Sequence, residues 1–288
     1  MSKTIFILGR QPIFGLAELK SLLPNTTINT ICSDIVSIDE HIDPMIIQRL
    51  GGVIKIAQVI STAEDSDDPT VEKIVLNDIK NSLNIISGKK FNFGISCYNT
   101  DLKTNTISSL AMKLKKILKK ELISARMILS KETQLSIAQV IHNKLTKENG
   151  LELLIIGARS GLIFAQTTAI SDINAYSSRD YERPYRDPKN GMLPPKLAQI
   201  MINLLNPLRD ATILDPFCGS GVILQESLLM DFSAIGTDIN SKMVLYSEKN
   251  LNWLKEKFGI NNKFKVYKAD ATENIWQDKF DFIVSEIY

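Results

Sequence analysis

The sequence predicts an α+β region over its first 170 residues and a Rossmann-like α/β domain after residue 190. Three observations carry that expectation. Residues 3 to 60 read in the split βαββαβ order. From Lys196 onward, strands and helices alternate, the pattern of a parallel doubly wound sheet. The first strand of that part runs into Asp215-Pro216-Phe217-Cys218-Gly219-Ser220-Gly221, a glycine-rich turn that opens a helix.

The elements follow in order. Lys3 to Leu8 is a strand, and Gly15 to Leu23 is a helix with Leu16, Leu19, Leu22 and Leu23 on one stripe. Strands at Thr27 to Cys32 and Asp34 to Ile38, a helix at Pro44 to Leu50 and a strand at Val53 to Ile60 complete the first unit. Residues 61 to 70 are polar, acidic and contain Pro69, which reads as a linker. A helix (Val71 to Leu83), a strand (Phe91 to Tyr98), a lysine-rich helix (Ile107 to Leu122), a short strand near Met127 to Leu129 and a helix (Ile137 to Leu145) come next. Strands Leu151 to Ile156 and Leu162 to Gln166 form a hairpin through Gly157 to Gly161. Ser177 to Asn190 is rich in arginine and aspartate and holds Pro184 and Pro188, so it reads as an ordered connector. Beyond it, a helix at Lys196 to Leu205 puts Leu197, Ile200, Met201 and Leu204 on one face. Strand Thr212 to Leu214, helix Val222 to Leu229, strand Ala234 to Thr237, helix Lys242 to Phe258 and strands Lys265 to Ala269 and Phe282 to Ser285 close the pattern.

Composition excludes several classes. With 288 residues and 44% apolar content, the chain can bury more than one core. Cys32, Cys97 and Cys218 are odd in number and far apart, which suggests neither a disulfide framework nor a zinc cluster and fits a reducing cytoplasm. No stretch approaches the roughly 20 apolar residues of a membrane span. His41 and His142 are isolated, and no metal site is visible. A net charge of +2 implies no polyanion partner by itself, but lysines concentrate between Lys103 and Lys131, while the chain from Asp215 onward leans acidic.

The turn after Leu214 resembles a dinucleotide loop, yet the third Gly or Ala of that fingerprint is replaced by Leu224. Its chemistry suits S-adenosylmethionine. Asp215 at the strand end can anchor a cationic amino group. Asp238, ending the next strand, can accept from both ribose hydroxyls, and Asp270, ending the third, from the adenine amino group. The candidate cofactor residues are therefore Asp215, Pro216, Phe217, Cys218, Gly219, Gly221, Asp238, Ile239, Asp270 and Ala271. For one such aspartate, strand-end solvation or helix capping is the simpler account; three at successive strand ends favour the ligand.

These residues lie in a longer resemblance. Arg179-Asp180-Tyr181-Glu182-Arg183-Pro184-Tyr185-Arg186, then Gly191-Met192-Leu193-Pro194-Pro195-Lys196-Leu197-Ala198, resembles the connector of the THUMP-domain tRNA guanine-N2 methyltransferases. Asn92-Phe93-Gly94-Ile95-Ser96 and Leu135-Ser136-Ile137-Ala138-Gln139-Val140 look like the THUMP core. The resemblance implies a ferredoxin-like domain over 1–62, a THUMP RNA-binding domain over 70–170, a connector over 171–190 and a class I methyltransferase domain over 191–288. It also implies a tRNA partner, methylated on a guanosine N2 amine in the D-arm region. In that setting Lys113, Lys116 and Lys120, which share a helix face, become RNA-binding candidates with Arg126 and Lys131.

Amino-methylating relatives carry an Asp/Asn/Ser-Pro-Pro-Tyr/Phe loop after the fourth strand. Here the matching stretch is Ser285-Glu286-Ile287-Tyr288, with both prolines replaced. Glu286 is expected to supply the carboxylate acceptor, Ser285 to assist, and Tyr288 to stack on the base. A sheet of this class continues with three more strands, so the sequence reads as truncated at its C-terminus, with an incomplete sheet. Two other readings share these residues: a non-catalytic tRNA-binding protein with a vestigial methyltransferase fold, and a methyltransferase of another nucleic-acid base.

Overall fold

A computed structural model describes residues 3–64, 68–79, 89–187, 192–273 and 278–287. The chain divides into two compact units. One comprises Met1–Pro12, Asn25–Gln48 and Val53–Ser171; the other comprises Ile13–Pro24, Arg49–Gly52 and Asp172–Tyr288.

The first unit is built on one eight-stranded mixed sheet. Its strands are β1 (Thr4–Leu8), β2 (Ile28–Cys32), β3 (Ile35–Ile38), β4 (Val53–Ala63), β5 (Phe91–Tyr98), β6 (Ala125–Ile128), β7 (Gly150–Ala158) and β8 (Gly161–Ile170), in the order β2-β3-β1-β4-β8-β7-β5-β6. The segment at Pro44–Gln48, expected as a helix, is a short 3-10 turn in which Asp43 Oδ1 accepts from the Met45 backbone. β4 runs three residues into the expected linker because Ser61, Thr62 and Ala63 pair with Phe164, Ile163 and Leu162. β8 likewise outruns its expected end. Thr167 looks like a polar stop, but its hydroxyl donates to the buried Glu152 carboxylate, and Thr167 pairs with Ala57. Glu152 also receives Lys55 and Ser96 Oγ, so both charges are buried and partnered.

Helix α1 (Pro12–Leu22) lies mainly in the second unit. After β4 comes α2 (Asp68–Lys73), which continues as a wider π-type turn over Ile74–Ile79; the last four residues expected there lie outside the described residues. Helix α3 (Thr104–Lys120) buries Ile107, Leu110, Ala111, Leu114 and Leu118, the recurrence of an amphipathic helix on a core. The core beneath it includes Phe91, Phe93, Val75 and Leu153. Helix α4 (Ile137–His142) starts with a capping box between Ser136 and Gln139. Val140 and Leu135 pack there with Ile128 and Leu145.

The second unit holds a four-stranded parallel sheet among the described residues. Its strands are β9 (Thr212–Asp215), β10 (Ser233–Asp238), β11 (Phe264–Lys268) and β12 (Phe282–Ile283), in the order β11-β10-β9-β12. Helix α7 (Val222–Leu229) links β9 to β10, and α8 (Ser241–Phe258) links β10 to β11, each a βαβ crossover. Two helices precede the sheet: α5 (Ile173–Tyr181) and α6 (Pro195–Leu204). The α5 residues overlap a stretch expected to be irregular. Asp172 caps this helix by accepting from the Asn174 and Ala175 backbones, and Arg179 buries against Glu226; the helix stops before Pro184.

Two leucine stripes make up only part of the buried faces. α1 buries Gly15, Glu18 and Leu19, and α6 buries Ala198, Gln199, Ile202 and Asn203 besides Ile200, leaving Leu204 exposed. A polar network rotates both helices. Glu18 accepts from the Gly51 and Gly52 backbones at 2.9 Å each and from Asn203 Nδ2 at 2.7 Å. Asn203 in turn accepts from Arg49 Nε at 2.9 Å. Burial raises the Glu18 carboxyl above its usual range, and these donors oppose the rise.

Candidate functional site

β9 is flanked by β10 on one side and β12 on the other, so the chain reverses its direction of travel across the sheet there. Such a switch point opens a crevice at the carboxyl ends of the strands. Here it is a cavity of about 380 Å³, within the roughly 300–1,000 Å³ of small-molecule sites.

The glycine turn forms one wall. Gly219 and Gly221 have φ of +52° and +87°, a conformation that disfavours side chains. A Cβ on Gly221 would overlap Ser247 Oγ, and one on Gly236 of β10 would overlap Leu224. The turn is tied to β10: Cys218 N donates to Thr237 O at 2.9 Å, Thr237 Oγ1 to Pro216 O at 3.1 Å, and Gly219 N to Asp238 Oδ2 at 3.0 Å. Burial pushes the Cys218 thiol up, which leaves it un-ionised and a packing residue. Asn250 of α8 completes the clamp. Its Nδ2 donates to Ser220 O and Tyr185 O at 2.9 Å each, and its Oδ1 accepts from Tyr185 N at 3.0 Å. One buried amide thus joins turn and connector.

Acids dominate the lining. Asp215, Asp238, Glu286 and the connector's Asp187 all face the cavity, and among the described residues lining it none is basic. Asp215 is 2% exposed and accepts from Ser285 Oγ at 2.7 Å and from Phe217 N at 3.2 Å. Burial pushes its carboxyl up to about 7; the Ser285 and Phe217 donors oppose this, and the charges of Asp238 and Glu286 add to it. This donor set repels a pyrophosphate and suits a small ligand that brings positive charge and hydroxyl donors.

The remaining sequence candidates fall as follows. Phe217, Cys218 and Gly219 line the cavity with Ile287; Pro216, Gly221 and Ser285 hold its walls without lining it. Ile239 is 64% exposed and outside the lining. Asp270 and Ala271 are also outside the lining; Asp270 Oδ1 accepts from Thr272 N at 2.9 Å and Thr272 Oγ1 at 2.7 Å, which holds that carboxyl below its usual range. Tyr288 lies outside the described residues. In the other unit, Lys113, Lys116, Lys120, Arg126 and Lys131 are exposed, and Lys113 pairs with Glu72. Met192 and Leu193, read as part of the connector, line the cavity, whereas sequence reading missed Asp187, Met243 and Asn250. Asn250 had a signal: it sits with Ser247 on the stripe of Met243, Leu251 and Leu254, where a buried polar residue needs partners.

Strand order, glycine turn and acid-lined cavity define a Rossmann-like domain shaped for a small cationic ligand. Residues 183–287 match the family described as UPF0020: RMKL-like, methyltransferase domain. Over 125 residues the chain is 35% identical to a tRNA (guanine(10)-N2)-dimethyltransferase of Methanothermobacter thermautotrophicus, a match covering 43% of this chain and 35% of that protein. The chain therefore spans about a third of that relative's length. The crystal structure of TrmN from Thermus thermophilus matches 99% of this chain and 78% of its own, with a TM-score of 0.59 and 14% identity. That of SMU.472 complexed with SAH matches 100% of this chain and 80% of its own, with a TM-score of 0.56 and 14% identity. At these identities the two structures speak for the fold. No helix among the described residues is long and apolar enough to cross a membrane.

Proposed function

We propose that this chain is an S-adenosylmethionine-dependent tRNA methyltransferase acting on the N2 amine of a guanosine in the D-arm region. The observation that carries the reading is the acid-lined cavity at the switch point, lined by Asp215 at the end of β9, Asp238 at the end of β10 and Glu286 beyond β12. Further support comes from the UPF0020 match over the same residues and from the name of the archaeal relative.

When bound, S-adenosylmethionine supplies an electrophilic methyl group. Asp215 holds the ammonium of its amino-acid tail, Asp238 accepts from the ribose hydroxyls, and Asp270 offers Oδ2, the oxygen that Thr272 leaves free, to the adenine amino group. Phe217, Cys218, Gly219 and Gly221 keep the turn flat against the ligand, with Pro216, Ile239 and Ala271 at its edges. Glu286 and Ser285 accept from the exocyclic N–H groups of guanine, whose conjugated lone pair makes it a poor nucleophile, and Tyr288 stacks on the base. Orientation of the amine toward the methyl group supplies most of the acceleration.

The rest of the chain serves the tRNA. We read 1–62 as a ferredoxin-like domain and 70–170 as a THUMP domain, with 171–190 as connector and 191–288 as the methyltransferase part. The order β2-β3-β1-β4 supports the first, since it is the order of a split βαββαβ unit. Lys113, Lys116, Lys120, Arg126 and Lys131 are the RNA contacts. Incubation of unmodified tRNA with protein and S-adenosylmethionine, followed by nucleoside analysis, tests the reading. Methylated N2-guanosine is expected; methylation confined to adenine, or none while the cofactor binds, would overturn it.

A further inference from the structure

The cavity has carboxylates for a ligand's positive charge but, among its described lining residues, no basic side chain for a negative one. An amino-acid tail carries both. One buried cation lies just behind the wall. Arg183 is 3% exposed, and its Nε and Nη1 have no acceptor among the described residues. Its Nη2 donates to Met192 Sδ at 3.1 Å, and Met192 lines the cavity. A guanidinium carries five N–H donors, and a thioether is a weak acceptor for any of them.

The neighbouring charges do not meet this demand by hydrogen bonding. Glu226 Oε1 accepts from Arg179 Nε at 2.7 Å, and Glu226 Oε2, whose charge Arg183 feels, is buried without a hydrogen bond to it. Arg186 adds like charge beside Arg183, and its own Nε is buried without an acceptor among the described residues. Burial lowers the Arg183 guanidinium below its usual range and Arg186 adds to this, while Asp180 and Glu226 oppose it; the group stays charged at any physiological pH. Lys242 stands at the rim, but it is 55% exposed and paired with Asp187 at 3.0 Å. Leaving a buried guanidinium short of acceptors is costly, so such a group marks a place where an anion belongs.

We propose that Arg183 binds the carboxylate of the cofactor's methionyl tail, reached when the Met192 side chain swings aside. Met192 suits that role, because its unbranched side chain changes rotamer easily. The proposal rests on the S-adenosylmethionine reading. It splits recognition of the tail between Asp215 for the ammonium and Arg183 for the carboxylate.

Calorimetry with S-adenosylmethionine and its decarboxylated analogue, which lacks only the carboxylate, tests this. The natural protein should prefer the carboxylate-bearing ligand by about 10- to 100-fold, the worth of one charge-assisted hydrogen-bonded pair. Arg183→Met should lose that preference and keep its affinity for the analogue, which also reports that it folds; Arg183→Lys should recover part of it. Met192→Ala opens the path to Arg183 and should strengthen the preference without changing binding of the analogue. Lys242→Ala should leave the preference intact. If the natural protein bound neither ligand, the cofactor reading itself would fall, and this proposal with it. Equal preference in the natural protein and Arg183→Met, or a Met192→Ala effect equal on both ligands, would overturn the assignment of Arg183 alone.

Discussion

Ser285 Oγ donates to Asp215 Oδ1 at 2.7 Å, joining the residues that follow β12 and end β9 at the point where the sheet reverses. The bond links the residue assigned to the cofactor's ammonium with the loop assigned to the base. It also opposes the rise of the Asp215 carboxyl toward about 7.

That rise makes ligand-free stability fall with pH. Below the ordinary value of 3.8 the carboxyl is protonated in both states; from there to about 7 the unfolded chain binds fewer protons than the folded one. Stability contributed by this group is thus present at low pH and lost by about 7. Asp215→Asn should remove a decline on the order of 2–4 kcal/mol across that window, read by denaturant unfolding. A cationic ligand reverses the preference, so S-adenosylmethionine affinity should weaken by up to about tenfold per pH unit below 7 in the natural protein and vary less in the variant.

Gly221→Ala should cost more than Gly219→Ala. Both positions are left-handed, at about 1–2 kcal/mol for a side chain. A Cβ at Gly219 meets open space, whereas at Gly221 it meets Ser247. Thermal unfolding ranks the two, and adding Ser247→Gly to Gly221→Ala should restore part of the difference.

Asn250→Leu should lower unfolding free energy by about 2–4 kcal/mol, since it orphans Ser220 O and the backbone N–H and C=O of Tyr185. Cofactor affinity should fall with it, because the turn loses its tie to α8. A variant with wild-type melting and affinity would show that water replaces the amide.

Glu286→Ala should abolish base methylation and keep cofactor binding near its natural level. Full turnover in nucleoside analysis would remove Glu286 from the reaction.

For the lysine face, the triple variant Lys113→Ala, Lys116→Ala, Lys120→Ala should weaken tRNA binding and make its dependence on salt shallower by roughly 2–3 in the log–log slope. Lys113 already pairs with Glu72, so it should contribute least of the three. Filter binding across a salt series measures both effects.

Much of the cofactor cavity was legible because it is local in sequence. A strand ending in Asp215, glycines at positions that take positive φ and a second strand ending in Asp238 are read within a short stretch. Asp270 looked equivalent, yet its carboxylate turns onto Thr272, two residues away, a side-chain choice that strand patterning does not encode. Partners remote in sequence were invisible. Glu18 is buried where Gly51, Gly52 and Asn203 donate to it, so the buried face of α1 takes in Gly15 and Glu18 beside Leu19 and leaves the other leucines of the stripe half-buried. Arg183 read as part of an arginine-rich ordered connector, a pattern that does not announce its burial behind Met192. The ends of β4 and β8 were misjudged together, since each is extended by the other.

That last pairing has a consequence for synthesis on the ribosome. Residues of β4 emerge early, yet one of their two edges is closed only by β8, and Lys55 waits for both Glu152 and Ile170. The early strands therefore spend most of the first unit's translation with an open edge and an unpaired amine, able to pair with the wrong neighbour. Closure of the β4 edge is gated by the emergence of Ile170, the residue that pairs with Lys55.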